Sequence, residues 1–252
     1  MAEATAKPTL AHGDPVAVQL TQAIQRGDLQ TLERMLQERP ELAGVRMIGR
    51  HGIEGGWGTP LHAATDWPGY FTAAPATVRM LLAAGADPND NTGGSTPETA
   101  LHYAASTDDV DVAVVLIDAG ADLETPGGSI GTPLDNAIGY GCWHVARLLV
   151  ERGARVDKLW HAAALGMLAR LDELLATYQP TAEELNGAFW QACHGGQRRA
   201  AERLLAEGAD INTSPDYANN QTALDQVLKP DTRRDLLASW LRDNGGKPAE
   251  RE

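Results

Sequence analysis

One stretch of this chain occurs again and again, and that recurrence constrains the fold more than anything else in it. Thr59-Pro60-Leu61-His62-Ala63-Ala64 returns as Thr99-Ala100-Leu101-His102-Tyr103-Ala104 and as Thr132-Pro133-Leu134-Asp135-Asn136-Ala137. Each copy is followed by Gly-Ala: Gly85-Ala86-Asp87, Gly120-Ala121-Asp122, then Gly153-Ala154 with Arg155 as the third residue. Weaker openings follow at Lys158, Gly187 and Thr222. A unit of thirty-odd residues cannot bury its apolar face alone, so neighbouring copies must stack into a solenoid.

Local chemistry explains why each copy is a helix pair. A Thr before Pro caps a helix whose first position tolerates the missing N–H of proline. Paired alanines such as Ala63-Ala64 and Ala104-Ala105 let inner helices approach closely. The apolar residues of Val78-Arg79-Met80-Leu81-Leu82, Val112–Ile117 and Val145–Val150 fall at helical spacing and form an outer-helix core stripe. Gly85, Gly120, Gly153 and Gly208 stand just past a helix end, where a left-handed residue is wanted.

The motif resembles the ankyrin repeat family, over roughly residues 16–245. The resemblance implies an all-α solenoid of stacked helix-turn-helix units joined by short β-turn fingers. One domain is expected over 16–245: an N-terminal cap and Gly-rich loop over 16–58, repeats opening at 59, 99, 132, 158 and 187, and a C-terminal cap over 222–245. Residues 1–15 read as a disordered tail and 246–252 as a second tail. The resemblance also implies that His62, His102 and His161, at the motif position, are structural and bond the backbone of the adjoining repeat.

Charge narrows the partner classes. The net charge is −13, and it is uneven. From residue 51 to 131 one basic side chain, Arg79, faces eleven acidic ones. That disfavours nucleic acid and anionic lipid surfaces, which need Lys and Arg to displace counterions, and is compatible with a basic protein partner or with a charge that serves solubility alone. Two cysteines, Cys142 and Cys193, make no disulfide framework. No apolar run is long enough for a membrane span. A monomeric, cytoplasmic protein is expected, and the Ala- and Arg-rich acidic composition suggests a bacterial source.

Departures from the plain repeat mark the candidate sites, because function is grafted onto folds. Gly49–Gly58 mixes five glycines with Arg50, His51, Glu54 and Trp57. Asp66-Trp67-Pro68-Gly69-Tyr70-Phe71-Thr72-Ala73-Ala74-Pro75 lengthens a helix turn by about five residues over the family pattern and loads it with aromatics. Six tryptophans stand against two phenylalanines. Trp160 takes a buried leucine position, whereas Trp190 replaces the motif histidine. The Arg155–Lys158 segment shortens a finger and opens a notch, expected on the concave side.

Two functions follow. In the first, the chain is a protein-interaction module that binds through its concave face and fingers. Trp57, Trp67, Tyr70, Phe71, Tyr140, Cys142, Trp143, Trp190 and His194 are its candidate contacts, with Asp90 and Glu124 on the fingers. In the second, it binds a small molecule, or is a metal-free enzyme for proton transfer or hydrolysis, with His51, Glu54, Asp66 and His144 as acid–base candidates. No metal signature and no phosphate-cradling loop is present, so no cofactor is expected.

Overall fold

The computed structural model describes residues 7–49, 57–93, 96–229 and 234–250, with the side chain of Trp57 left out. The Gly-rich loop with His51 and Glu54 lies outside the described residues. The chain divides into two compact units, Met1–Ala154 and Arg155–Glu252, where the sequence reading had one domain.

The first unit begins with β1 (Thr9–Ala11), α1 (Pro15–Arg26), α2 (Leu29–Glu38), a 3-10 turn over Pro40–Gly44, β2 (Arg46–Ile48) and β3 (Trp57–Gly58). Residues 9–11 were expected in a disordered tail. They pair instead, parallel to β2 with Thr9 opposite Arg46, while β2 runs antiparallel to β3. Lys7 Nζ at 2.9 Å and Arg46 Nη2 at 3.1 Å then bind the two oxygens of Asp90, clipping this sheet to the finger beyond. Asp90 is buried by these contacts, so it is not the open finger contact expected of it.

Three helix pairs follow: α3 (Pro60–Thr65) with α4 (Ala74–Ala83), α5 (Ala100–Thr107) with α6 (Val110–Asp118), and α7 (Pro133–Gly139) with α8 (Trp143–Glu151). Inner helices pack on inner (α1, α3, α5, α7) and outer on outer (α2, α4, α6, α8), in chain order. The motif alanines Ala63, Ala64, Ala104, Ala105 and Ala137 are sealed between inner helices. Val78, Leu81, Val112, Leu116, Val145 and Leu149 are fully buried beneath the outer ones. Each such aliphatic side chain stabilises the stack by about 1.5–3 kcal/mol. The fold is thus the expected stack of helix pairs, with a small sheet added at its start.

The second unit holds α9 (Leu159–Leu165), α10 (Leu168–Thr177), α11 (Ala182–His194), α12 (Arg198–Ala206), a 3-10 turn over Asp216–Ala218, α13 (Ala223–Val227) and α14 (Asp235–Asp243). Its inner helices α9, α11 and α13 stack in order. The helix at Gly187 starts earlier than its repeat position implies. Thr181 accepts from Glu184 N at 3.2 Å, and Glu184 Oε2 accepts from Thr181 N at 2.8 Å. That reciprocal cap outweighs the motif count and sets the start at Ala182. The expected C-terminal tail is tied down as far as it is described: Lys247 N donates to Asn212 Oδ1 at 2.7 Å and Ala249 N to Asp225 Oδ2 at 2.8 Å.

Candidate functional site

Among the described side chains of the first unit, the most exposed aromatics lie on the inserted turn between α3 and α4. Its backbone is closely held. Asp66 Oδ1 accepts from Trp67 N at 3.0 Å, and Asp66 O from Gly69 N at 2.8 Å. Gly69 has φ +78°, and a Cβ there would stand 2.8 Å from the Thr107 Cβ. Glycine is therefore required where the turn lies against the end of α5. Tyr70 and Ala73 have φ of +53° and +58°, each costing roughly 1–2 kcal/mol in a residue with a side chain. Tyr70 N donates to Asp109 Oδ2 at 3.0 Å, and its hydroxyl donates to the Asp108 carbonyl. Held this way, Trp67 stays 81% exposed and Tyr70 64% exposed, while Phe71 is half-buried.

The next turn along is built on Asp108, itself left-handed at φ +58°. Its Oδ1 accepts from His144 N at 3.1 Å and Val145 N at 2.9 Å, and its Oδ2 stands 2.6 Å from His144 Nδ1. The residue at the cap position of α8 is Cys142, whose side chain makes no cap bond. A carboxylate from the preceding repeat supplies it instead, which satisfies amides at a helix start where negative charge is favoured. Three successive turns are thereby laced together, Tyr70 to Asp108 and Asp109, then Asp108 to His144.

This arrangement assigns roles to several candidates. His144 is exposed and paired to Asp108. Cys142 is buried, and desolvation, with Asp108 adding to it, pushes its thiol up to about 11, away from the thiolate that a nucleophile or metal ligand needs. Trp143 is half-buried beside it. Tyr140 is 54% exposed and its hydroxyl lies 3.1 Å from Ser129 Oγ. That contact draws the Gly127–Gly131 loop back along α7: Ile130 N donates to Asn136 Oδ1 at 3.1 Å, and Gly139 leaves room for the Ile130 side chain. The loop thus covers part of the inner-helix surface that was expected to be an open concave face.

In the second unit the aromatic candidates are core. Trp190 is buried, donates from Nε1 to Gln221 O at 2.9 Å, stacks on His194 at 5.3 Å and meets Tyr217 edge-on at 5.7 Å. His194 Nδ1 lies 2.5 Å from Gln226 Nε2. Cys193 is sealed within this packing and burial pushes its thiol up to about 12. Trp190 and Cys193 therefore offer no surface to a partner, while His194 stays half-buried. The shortened finger at Arg155 does open a cavity, of about 640 Å³, lined by Val156, Asp157, Met167, Leu168 and Arg170 among others. Its wall is the outer helix α10, not the concave side.

The motif histidines are structural in detail. His62 Nδ1 accepts from Thr59 N at 3.2 Å, and Nε2 meets the Glu98 carbonyl at 2.9 Å. His102 repeats this with Thr99 N at 3.1 Å and the Gly131 carbonyl at 3.1 Å. An amide can only donate and a carbonyl can only accept, so each ring is held as the neutral Nε2–H tautomer. Burial pushes His102 below the usual histidine range, against the opposing bond to Gly131. Asp135 replaces the ring at the third copy and accepts from Thr132 N at 2.7 Å. His161 is buried at the same motif position in the second unit, ringed edge-on by Trp160 at 4.3 Å.

Many carboxylates of this acidic chain do similar work. Asp14, Asp28, Asp87, Asp109, Asp122 and Asp210 each accept a nearby backbone N–H. Part of the negative charge is thus a consequence of how turns and helix starts are capped. Among the described residues no three His, Cys, Asp or Glu side chains are grouped to hold a metal ion, and no helix is long and apolar enough to cross a membrane.

Comparison with known proteins places this architecture. Residues 70–158 match the family described as Ankyrin repeats (3 copies), so the class of the fold is the ankyrin repeat. The ankyrin repeat domain of Bcl-3 is similar, at 25% identity and a TM-score of 0.52, covering 91% of this chain and 99% of that one. Human ASB11 has an ankyrin repeat domain of the same fold, at 18% identity and a TM-score of 0.51 with the same coverage. Among curated sequences, the ankyrin repeat and KH domain-containing protein CBG24701 of Caenorhabditis briggsae is 30% identical over 152 residues, and the B-cell lymphoma 3 protein homolog of Mus musculus 35% over 105. The matches span 56% and 39% of this chain but 6% and 21% of those relatives. Both are animal proteins, so the bacterial source expected from composition gains no support.

Proposed function

We infer that this chain is a protein-interaction module whose first unit binds a partner through the α3–α4 turn and the adjoining turns. One observation carries the reading: Trp67 and Tyr70 are held exposed by a hydrogen-bonded, left-handed backbone. Exposed rigid aromatics are what interfaces use as anchors, since they contribute area at little entropy cost. The turn joins the end of the inner helix to the start of the outer one, so it lies at the opposite end of the hairpin from the fingers. The binding edge is thus moved from the concave face and fingers toward the turns. Tyr140 extends it, and a monomer in the cytoplasm remains the expected form.

The Asp108–His144 pair favours the second reading, a ligand-binding or acid–base site. Yet Asp108 also accepts from the His144 and Val145 amides as a helix cap does, and the neighbouring thiol is held protonated. Cross-linking of the full chain in cell extract, read by mass spectrometry, tests the choice. Protein cross-links concentrated on residues 66–73 and 140–144 are expected. Cross-links spread evenly over the surface would overturn it.

A further inference from the structure

We propose that the α3–α4 turn is a docking site for a cationic segment of a partner protein, one presenting Arg or Lys side chains to Trp67 and Tyr70. This rests on the interaction reading above and adds the chemistry of the partner.

Charge complementarity carries the step. Trp67 and Tyr70 expose large ring surfaces, and the groups against them are acidic. Asp66 bonds the Trp67 amide, Asp109 the Tyr70 amide, and the Asp108 carbonyl takes the Tyr70 hydroxyl. Asp111, in the first turn of α6, is exposed. The fields of Asp108, Asp109 and Asp111 all act on the Tyr70 phenol, which burial first and these charges second push above the usual tyrosine range. Arg79 is the single basic side chain from residue 51 to 131, and His144 is engaged with Asp108. Three of these carboxylates, Asp66, Asp108 and Asp109, accept backbone amides, which fixes their positions without removing their charge.

The pieces fit one occupant better than others. A guanidinium or ammonium is attracted to an indole or phenol face by the ring quadrupole, and a nearby carboxylate adds to that attraction. An acidic segment would meet repulsion, and a purely apolar one would desolvate these charges without offsetting them. Because the turn is already ordered, docking need not spend interaction energy on folding it.

A displayed library of random twelve-residue peptides, selected against the full chain at low salt and re-scored against W67A, tests both levels. Circular dichroism checks that W67A is folded, the expected result for so exposed a side chain. Selected peptides enriched in Arg and Lys, weakened about tenfold by W67A and weakened further by D111N or raised salt, are the expected result. Neutral or acidic peptides that still depend on Trp67 would overturn the cationic partner while leaving the docking edge in place. Peptides indifferent to W67A would overturn the docking edge itself.

Discussion

Two aromatic clusters in this chain use the same residue types to opposite ends. At the α3–α4 turn, Trp67 and Tyr70 face solvent; on α11, Trp190 is packed away against the half-buried His194, with Tyr217 laid edge-on against the indole. The difference lies in where the repeat puts each residue. Trp190 takes the motif-histidine position of an inner helix, which points at the following repeat, so its indole N–H finds the Gln221 carbonyl just as His62 Nε2 finds that of Glu98. Trp67 sits in an insertion that the stack never has to cover. In a repeat protein, register within the unit decides whether a large side chain is core or contact, and composition does not.

Breaking the buried cluster has the largest expected effect. W190A removes a sealed indole together with its hydrogen bond, its stack on His194 and its edge contact with Tyr217. A loss of about 3–5 kcal/mol follows for such a truncation, read as a fall in the urea midpoint. The second unit should respond most strongly, which hydrogen exchange on α11 and α13 can resolve. A loss under about 1 kcal/mol would place Trp190 on the surface and erase the contrast.

The exposed cluster is tested next through what holds it. D108A takes away the cap of α8 and leaves a side chain in the left-handed region, together about 1–2 kcal/mol. D108N keeps an oxygen for the two amides of His144 and Val145, and asparagine tolerates that backbone, so its cost is expected below about 1 kcal/mol. The ordering of the two variants in chemical denaturation is the readout. Equal losses would mean that the carboxylate is not acting as the cap its geometry describes.

These clusters also show what could be read ahead of the structure. The Thr-Pro-Leu-His copies and the Gly-Ala ends located the helix pairs, because capping and periodicity are local and written in consecutive residues. The shortened finger at Arg155 was likewise visible as spacing. Asp108 capping a helix one repeat away was not visible, since the bond joins residues 36 positions apart and depends on how repeats stack. Strand β1 was missed because three residues carry too little alternation to signal a strand. The helix that carries Gly187 begins at the Thr181–Glu184 capping box and not at the motif position, because the box is the physical cause of a helix start.

The smallest expected effect sharpens the comparison most. W67A truncates a residue whose backbone amide, not its indole, is bound to Asp66. Its indole is largely in water already, so little apolar area returns to solvent on unfolding, and the change in stability is expected within about 0.5 kcal/mol. The turn itself stays in place through Gly69 against Thr107 and Tyr70 on Asp109, neither of which involves the indole. Equilibrium urea unfolding of W67A beside W190A measures this directly. A near-zero cost at position 67 against a large one at 190 means that the fold gives no reason to keep a tryptophan at the turn, which leaves recognition as the reason. A cost at position 67 approaching that at 190 would instead make the indole part of the packing, and the turn would lose its claim to be a contact edge.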